Sequence, residues 1–184
     1  MAVVKINDVL QRMKELSSMR AVAGWVDGNG SADCAFSDML VRKYTGETTD
    51  SLTLPASDAL IARTLNYGRE PGVTSSGRHY KRIPPRPFMT IAMERFNQRK
   101  KVLIKRHIPQ VLRGEISAEH FYKIIGEQLM SCIQDAMDDS EKYVGLSDAT
   151  IKARRHRTPS NNSAKPLIDT GHLKGSVTFE IRKD

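Results

Sequence analysis

Between Phe88 and Met137 the chain carries two runs of helical periodicity, separated only by Gly114-Glu115-Ile116-Ser117. In the first, about Phe88 to Leu112, the residues Phe88, Ile91, Ala92, Phe96, Leu103 and Ile104 recur at spacings that form one apolar stripe. In the second, Ala118 to Met137, the stripe is Phe121, Ile124, Ile125, Leu129, Cys132, Ile133 and Met137. Gly114 breaks the first run and Ser117 is placed to cap the second. Two long helices on so short a turn can bury their stripes only by folding back on each other. Pro109 is expected to kink or end the first helix. Before it, Ile83-Pro84-Pro85-Arg86-Pro87-Phe88 has three prolines in four positions. They fix φ and remove donors, so this piece is extended, and Pro87 suits the first position of the helix that follows.

The remaining elements are shorter. Residues 4–16 have helical spacing at Ile6, Val9, Leu10, Met13 and Leu16. MRAVAGWV, residues 19–26, is rich in β-formers and runs into Asp27-Gly28-Asn29-Gly30, a strand and tight turn. Ser57 can cap a helix over Asp58 to Tyr67 that stops at Gly68. Residues 69–82 read as a loop and 148–155 as a short helix capped by Ser147. A loop covers 156–166, and a turn or short helix follows Asp169-Thr170-Gly171. The last residues, SVTFEIRK, alternate as a terminal strand. The expected class is α+β: a small, twisted, mainly antiparallel sheet packed with helices, two of them long and central. At 184 residues this is a single domain, 1–184, with an inserted arm at 31–55. Trp25 and Cys132 read as core residues.

Charge is segmented. Residues 78–113 hold eleven Lys or Arg and one acid, Glu94; residues 114–147 hold seven acids and two bases; residues 27–58 hold six acids and two bases. The net charge is +8. Such segments suit copies meeting edge to edge, a surface facing a polyanion, or plain solvated faces. The N-terminal MAVVKINDVLQRMKEL lacks the apolar stretch of a signal peptide, no run is long enough to span a membrane, and Cys34 and Cys132 form no framework. A cytosolic chain without membrane association is expected.

The chemistry-bearing patterns are thin. The five histidines form no HxxxH or HExxH run, so no metal is expected. There is no GxSxG elbow or phosphate loop, so neither catalysis nor a cofactor is expected. Asp138-Asp139 reads as a solvated helix end. Two basic clusters stand out: Arg95, Arg99, Lys100, Lys101, Lys105 and Arg106 on one helix, and Lys152, Arg154, Arg155 and Arg157 later. Either can meet phosphates, without sequence reading.

Four stretches together resemble the tail-completion, or neck, proteins of tailed bacteriophages, described also as tail terminator, minor tail or phage morphogenesis proteins. They are ALIARTLNYG (59–68), IPPRPFMTIAMERF (83–96), LSDATIKARR (146–155) and KPLIDTGHLKGSVTFEI (165–181). Order and spacing fit the family pattern over nearly the whole chain. The departure is residues 31–55, longer than the short turn usual there, read as an arm that clasps a neighbour. The resemblance implies a structural virion protein without enzymatic activity, forming a homo-oligomeric ring of six at the head–tail junction. Its partners would be itself, the tail tube protein, the head-completion or connector protein, and genomic DNA passing non-specifically through the lumen. It would reside in the virion neck or tail, and in the host cytoplasm during assembly. The resemblance places subunit or partner contacts on Ile83, Pro84, Pro85, Arg86, Pro87 and Phe88, and on Leu167, Ile168, Asp169, Thr170, Gly171 and Leu173. The alternative for these twelve is that they hold the fold. Arg99, Lys100, Lys101, Lys105 and Arg106 are the residues expected to face DNA. The alternative function is a non-specific nucleic-acid-binding protein using residues 78–113.

Overall fold

A computed structural model describes residues 6–25, 58–73, 77, 79–156, 158 and 160–183. The expected arm at 31–55, the Gly28–Gly30 turn, the Ser57 cap, Cys34 and Arg157 lie outside the described residues. The class is α+β, as expected. In chain order the elements are α1 (Ile6–Ser17), β1 (Met19–Gly24), α2 (Asp58–Tyr67), β2 (Gly72–Val73) and β3 (His79–Tyr80). Then follow α3 (Phe88–Arg113), α4 (Ala118–Asp138), a 3-10 turn at Ser140–Lys142, α5 (Asp148–His156), α6 (His172–Gly175) and β4 (Thr178–Lys183).

The α3–α4 pair is the most extensive interface among these elements. Its antiparallel register is visible in its ion pairs, Arg95 with Asp139 and Arg99 with Asp135. Gly114 takes φ +79° and donates back to the carbonyls of Gln110 and Val111, closing α3. Ser117 Oγ accepts from the His120 N–H, opening α4. From α1, Arg12 donates to the Leu112 carbonyl at 2.8 Å, a cation on the C-terminal end of α3. Helix α3 continues through Pro109 and ends at Arg113, one residue beyond the expected Leu112. Pro109 is exposed, so the carbonyl it leaves without a donor can be hydrated, and the packing on α4 carries the helix past it.

Chain ends meet in an antiparallel ribbon, β1 with β4, from Met19 opposite Lys183 to Gly24 opposite Thr178. A second ribbon joins β2 and β3. The β1–β4 ribbon lies on α4, where the Phe179 ring occupies the space a side chain at position 126 would fill. Gly126→Ala therefore sets about 1 kcal/mol of helix propensity against overpacking that costs about 1–3 kcal/mol. Displacement of a ring packed between helix and sheet outweighs the propensity. A net loss of stability in urea, reversed in part by Phe179→Leu, is the expected result.

The main core joins α3, α4 and the flanking segments through Trp25, Phe88, Phe96, Cys132, Ile133, Met137, Leu167 and Val177. A smaller cluster of Val111, Ala118 and Phe121 sits under the α3–α4 turn. Trp25 and Cys132 are core residues, as expected. Ile104, expected on the buried stripe, is 39% exposed. The stripe drifts because α3 outruns its cover: from Asn97 to Arg106 only Leu103 is even half-buried.

Candidate functional site

The four stretches that carry the resemblance are far apart in sequence and meet around one groove of about 680 Å³. Helix α2 supplies Ile61 and Leu65; the proline strap supplies Ile83, Pro84 and Arg86. The segment leading into α5 supplies Leu146, Ser147, Thr150 and Arg154, and the turn before α6 supplies Leu167 to Leu173 apart from Ile168.

The strap is laid on α2 by its backbone. Arg69 and Ile83 exchange both N–H···O bonds at 2.8 Å, and the Arg86 N–H donates to the Leu65 carbonyl at 2.9 Å. Gly68 lies between, at φ +76°, and a Cβ there would come within 2.6 Å of the Ile83 carbonyl oxygen. Pro87 has no side chain with which to cap α3, so the cap comes from α2: buried Asn66 Oδ1 accepts the Met89 N–H at 3.0 Å. Met89 and Asn66 are too distant in sequence for a local capping pattern to expose this.

Two guanidinium groups anchor the other walls. Arg86 is 3% exposed. Its Nε donates to the Val144 carbonyl at 3.0 Å and its Nη2 to the Gly145 carbonyl at 3.4 Å. Burial, then repulsion from Arg154, holds it below the usual guanidinium range. The carbonyls it uses follow Tyr143, whose hydroxyl donates to the Ala136 carbonyl at 2.6 Å. Burial pushes that phenol up to about 12, so it remains a donor at neutral pH. Arg154 Nη1 donates to the carbonyls of Ser163, Lys165 and Ile168, and its Nε pairs with Asp169 at 3.3 Å. Asn161 Nδ2 donates to both the backbone and side-chain oxygens of Asp169. Across the groove, His172 stands 3.1 Å from Asp58.

Eight of the twelve expected contact residues line the groove: Ile83, Pro84, Arg86, Leu167, Asp169, Thr170, Gly171 and Leu173. Pro85 and Pro87 face solvent beside it, and Ile168 is half-buried. Phe88 is a correction. It is wholly buried and meets Trp25 edge-on, with ring centroids 5.8 Å apart, so it builds the core and offers no surface to a partner. Thr170 Oγ1 accepts the His172 N–H at 3.3 Å, within the turn that leads into α6.

The basic face needs one correction, at Arg154. Arg99 stays exposed while donating toward Asp135 at 3.5 Å and Cys132 Sγ at 3.6 Å on α4. Arg154 is buried rather than presented to phosphates. Lys100, Lys101, Lys105 and Arg106 are exposed, with no ion pair among the described residues. They surround Val102, which is 67% exposed. The carboxylates Asp138 and Asp139 are not a merely solvated end. Asp138 pairs with Lys174, and Asp139 takes Lys142 and Arg95, which hold it below the usual carboxylate range. Among the described residues, no group of three or more His, Cys, Asp or Glu is placed to hold a metal, and no helix is long and apolar enough to cross a membrane. No protein-family model, curated protein or solved structure matches this chain.

Proposed function

We propose that this chain is a structural protein of the tailed-phage neck, acting as a tail-completion or tail-terminator subunit. Copies close into a homo-oligomeric ring, joining the tail tube to the head connector and letting DNA pass through the lumen. One observation supports this reading above the others: the four stretches on which the resemblance rests converge on one groove. A ring needs a repeated surface that is complementary to another surface of the same molecule. A groove walled by a rigid proline strap offers such a surface at little ordering cost. Cryo-EM of the intact particle's neck tests the proposal. A closed ring of this chain at the head–tail junction is expected, and a lone copy or none would overturn it.

The exposed Lys100, Lys101, Lys105 and Arg106 favour a second reading, a non-specific nucleic-acid binder. Four phosphate contacts on duplex DNA give a slope of log K against log salt near −3.6, from about −0.9 per contact. That reading expects the isolated protein to show this slope, and Lys100→Ala with Lys101→Ala to reduce it by about half. Salt-insensitive or absent retention of the isolated protein would remove it.

A further inference from the structure

The groove holds a cation with no carboxylate of its own. Of the three guanidinium nitrogens of Arg86, two are held by backbone carbonyls, and Nη1 has no acceptor among the described residues. The carboxylates that line the groove are already engaged: Asp169 by Arg154 and Asn161, Asp58 by His172. The charge that acts on Arg86 is that of Arg154, which repels it. A buried cation satisfied only by carbonyl dipoles leaves its charge uncompensated, and a charge-assisted bond is roughly twice as strong as a neutral one. Beside it, Ile61, Leu65, Ile83 and Leu167 give the groove an apolar wall. The occupant that fits is a peptide segment with an acidic side chain beside an apolar one.

We infer that Arg86 receives the carboxylate of an Asp or Glu from a second copy of this chain, docked in the groove. This rests on the neck reading for the identity of the partner, and on the groove alone for the chemistry. A second copy fits because the chain divides its charge by segment, and because Glu119, Glu127 and Glu141 are exposed without an ion pair among the described residues. The contact is head-to-tail: the groove of one copy takes an acidic segment from a different face of the next. Such contacts close into rings when the rotation permits.

The test is sedimentation velocity of the full chain over a concentration series, comparing the natural sequence, Arg86→Gln and Arg86→Lys. Self-association weakened about tenfold or more by Arg86→Gln and less by Arg86→Lys is expected. Equal association of Arg86→Gln and the natural sequence, or a natural sequence that stays monomeric throughout, overturns the inference. A second measurement avoids the variants, should Arg86→Gln not fold. The single tryptophan, Trp25, donates to the Leu173 carbonyl at 2.7 Å on the groove wall. N-acetyl-leucyl-glutamate amide should shift Trp25 emission saturably, and the leucyl-glutamine analogue should not; equal shifts, or none, overturn the inference. The neck reading fails separately. If imaging shows the ring and Arg86→Gln associates normally, the Arg86 contact is wrong and the neck stands. If imaging shows no ring, the neck reading falls and the peptide titration still decides the groove chemistry.

Discussion

Phe88→Ala is expected to cost about 3–5 kcal/mol, the range for emptying a wholly buried phenylalanine site. For a chain of this size that lowers Tm by roughly 10 °C. Two things put the value toward the upper end. The side chain has no solvent exposure. Its edge-on contact with Trp25 adds to the burial. The surrounding cluster draws on β1, α2, α3, α4 and the segment before α6, so no one element can relax into the void. Denaturant unfolding followed by Trp25 emission checks this, and the same probe reports whether the cavity loosens Trp25 itself. Phe88→Leu keeps most of the volume and should cost about 1–2 kcal/mol. A cost for Phe88→Ala below about 1 kcal/mol would mean that the strap, rather than the ring beneath it, sets the start of α3.

Elements were legible wherever periodicity and punctuation agreed. The limits of α3 and α4 follow from two stripes, Gly114 and Ser117, and the terminal strand from the alternation of TFEIRK. The stretches that wall the groove were singled out by the family resemblance, and only the strap also by its own residues, whose prolines constrain the backbone. Sequence could not tell which of those side chains turn inward. Phe88 and Arg86 stand two apart in one extended strap and are both buried, while Pro85 and Pro87 are exposed; the stated roles for all six had to be sorted by packing. Arg154 is the plainest case. In sequence it is one basic residue among several in KARRHR, and charge density points it at solvent. What withdraws it is a set of carbonyls supplied by a loop nine to fourteen residues later, and no local pattern announces that. Asn66 capping α3 and Arg12 capping α3 at its other end are of the same kind: tertiary partners doing a job usually read from neighbours.

Arg154→Met should remove about 3 kcal/mol of stability while adding no steric conflict, because methionine fits the space of the aliphatic stem. The loss comes from what is left behind. The carbonyls of Ser163, Lys165 and Ile168 lose a shared donor, and Asp169 loses its ion pair. Leaving buried acceptors unmet costs about 1–3 kcal/mol each in the worst case. The side chain of Asp169 is 37% exposed, so water replaces part of what it loses, and the sum falls well short of the maximum. Arg154→Lys should recover only part, since an ammonium cannot span the three carbonyls and the carboxylate with a planar fork. The damage should be local first. Hydrogen exchange should accelerate at Asn161, Ser163 and Lys165, whose N–H groups depend on this loop's closed form, before α3 and α4 respond. The same variant separates the two roles available to the groove. If the loop is only a structural closure, Arg154→Met lowers stability and leaves self-association unchanged once it is folded. If the turn from Asp169 to Leu173 is a contact surface, association falls with the loop's order, even at temperatures where the protein remains folded.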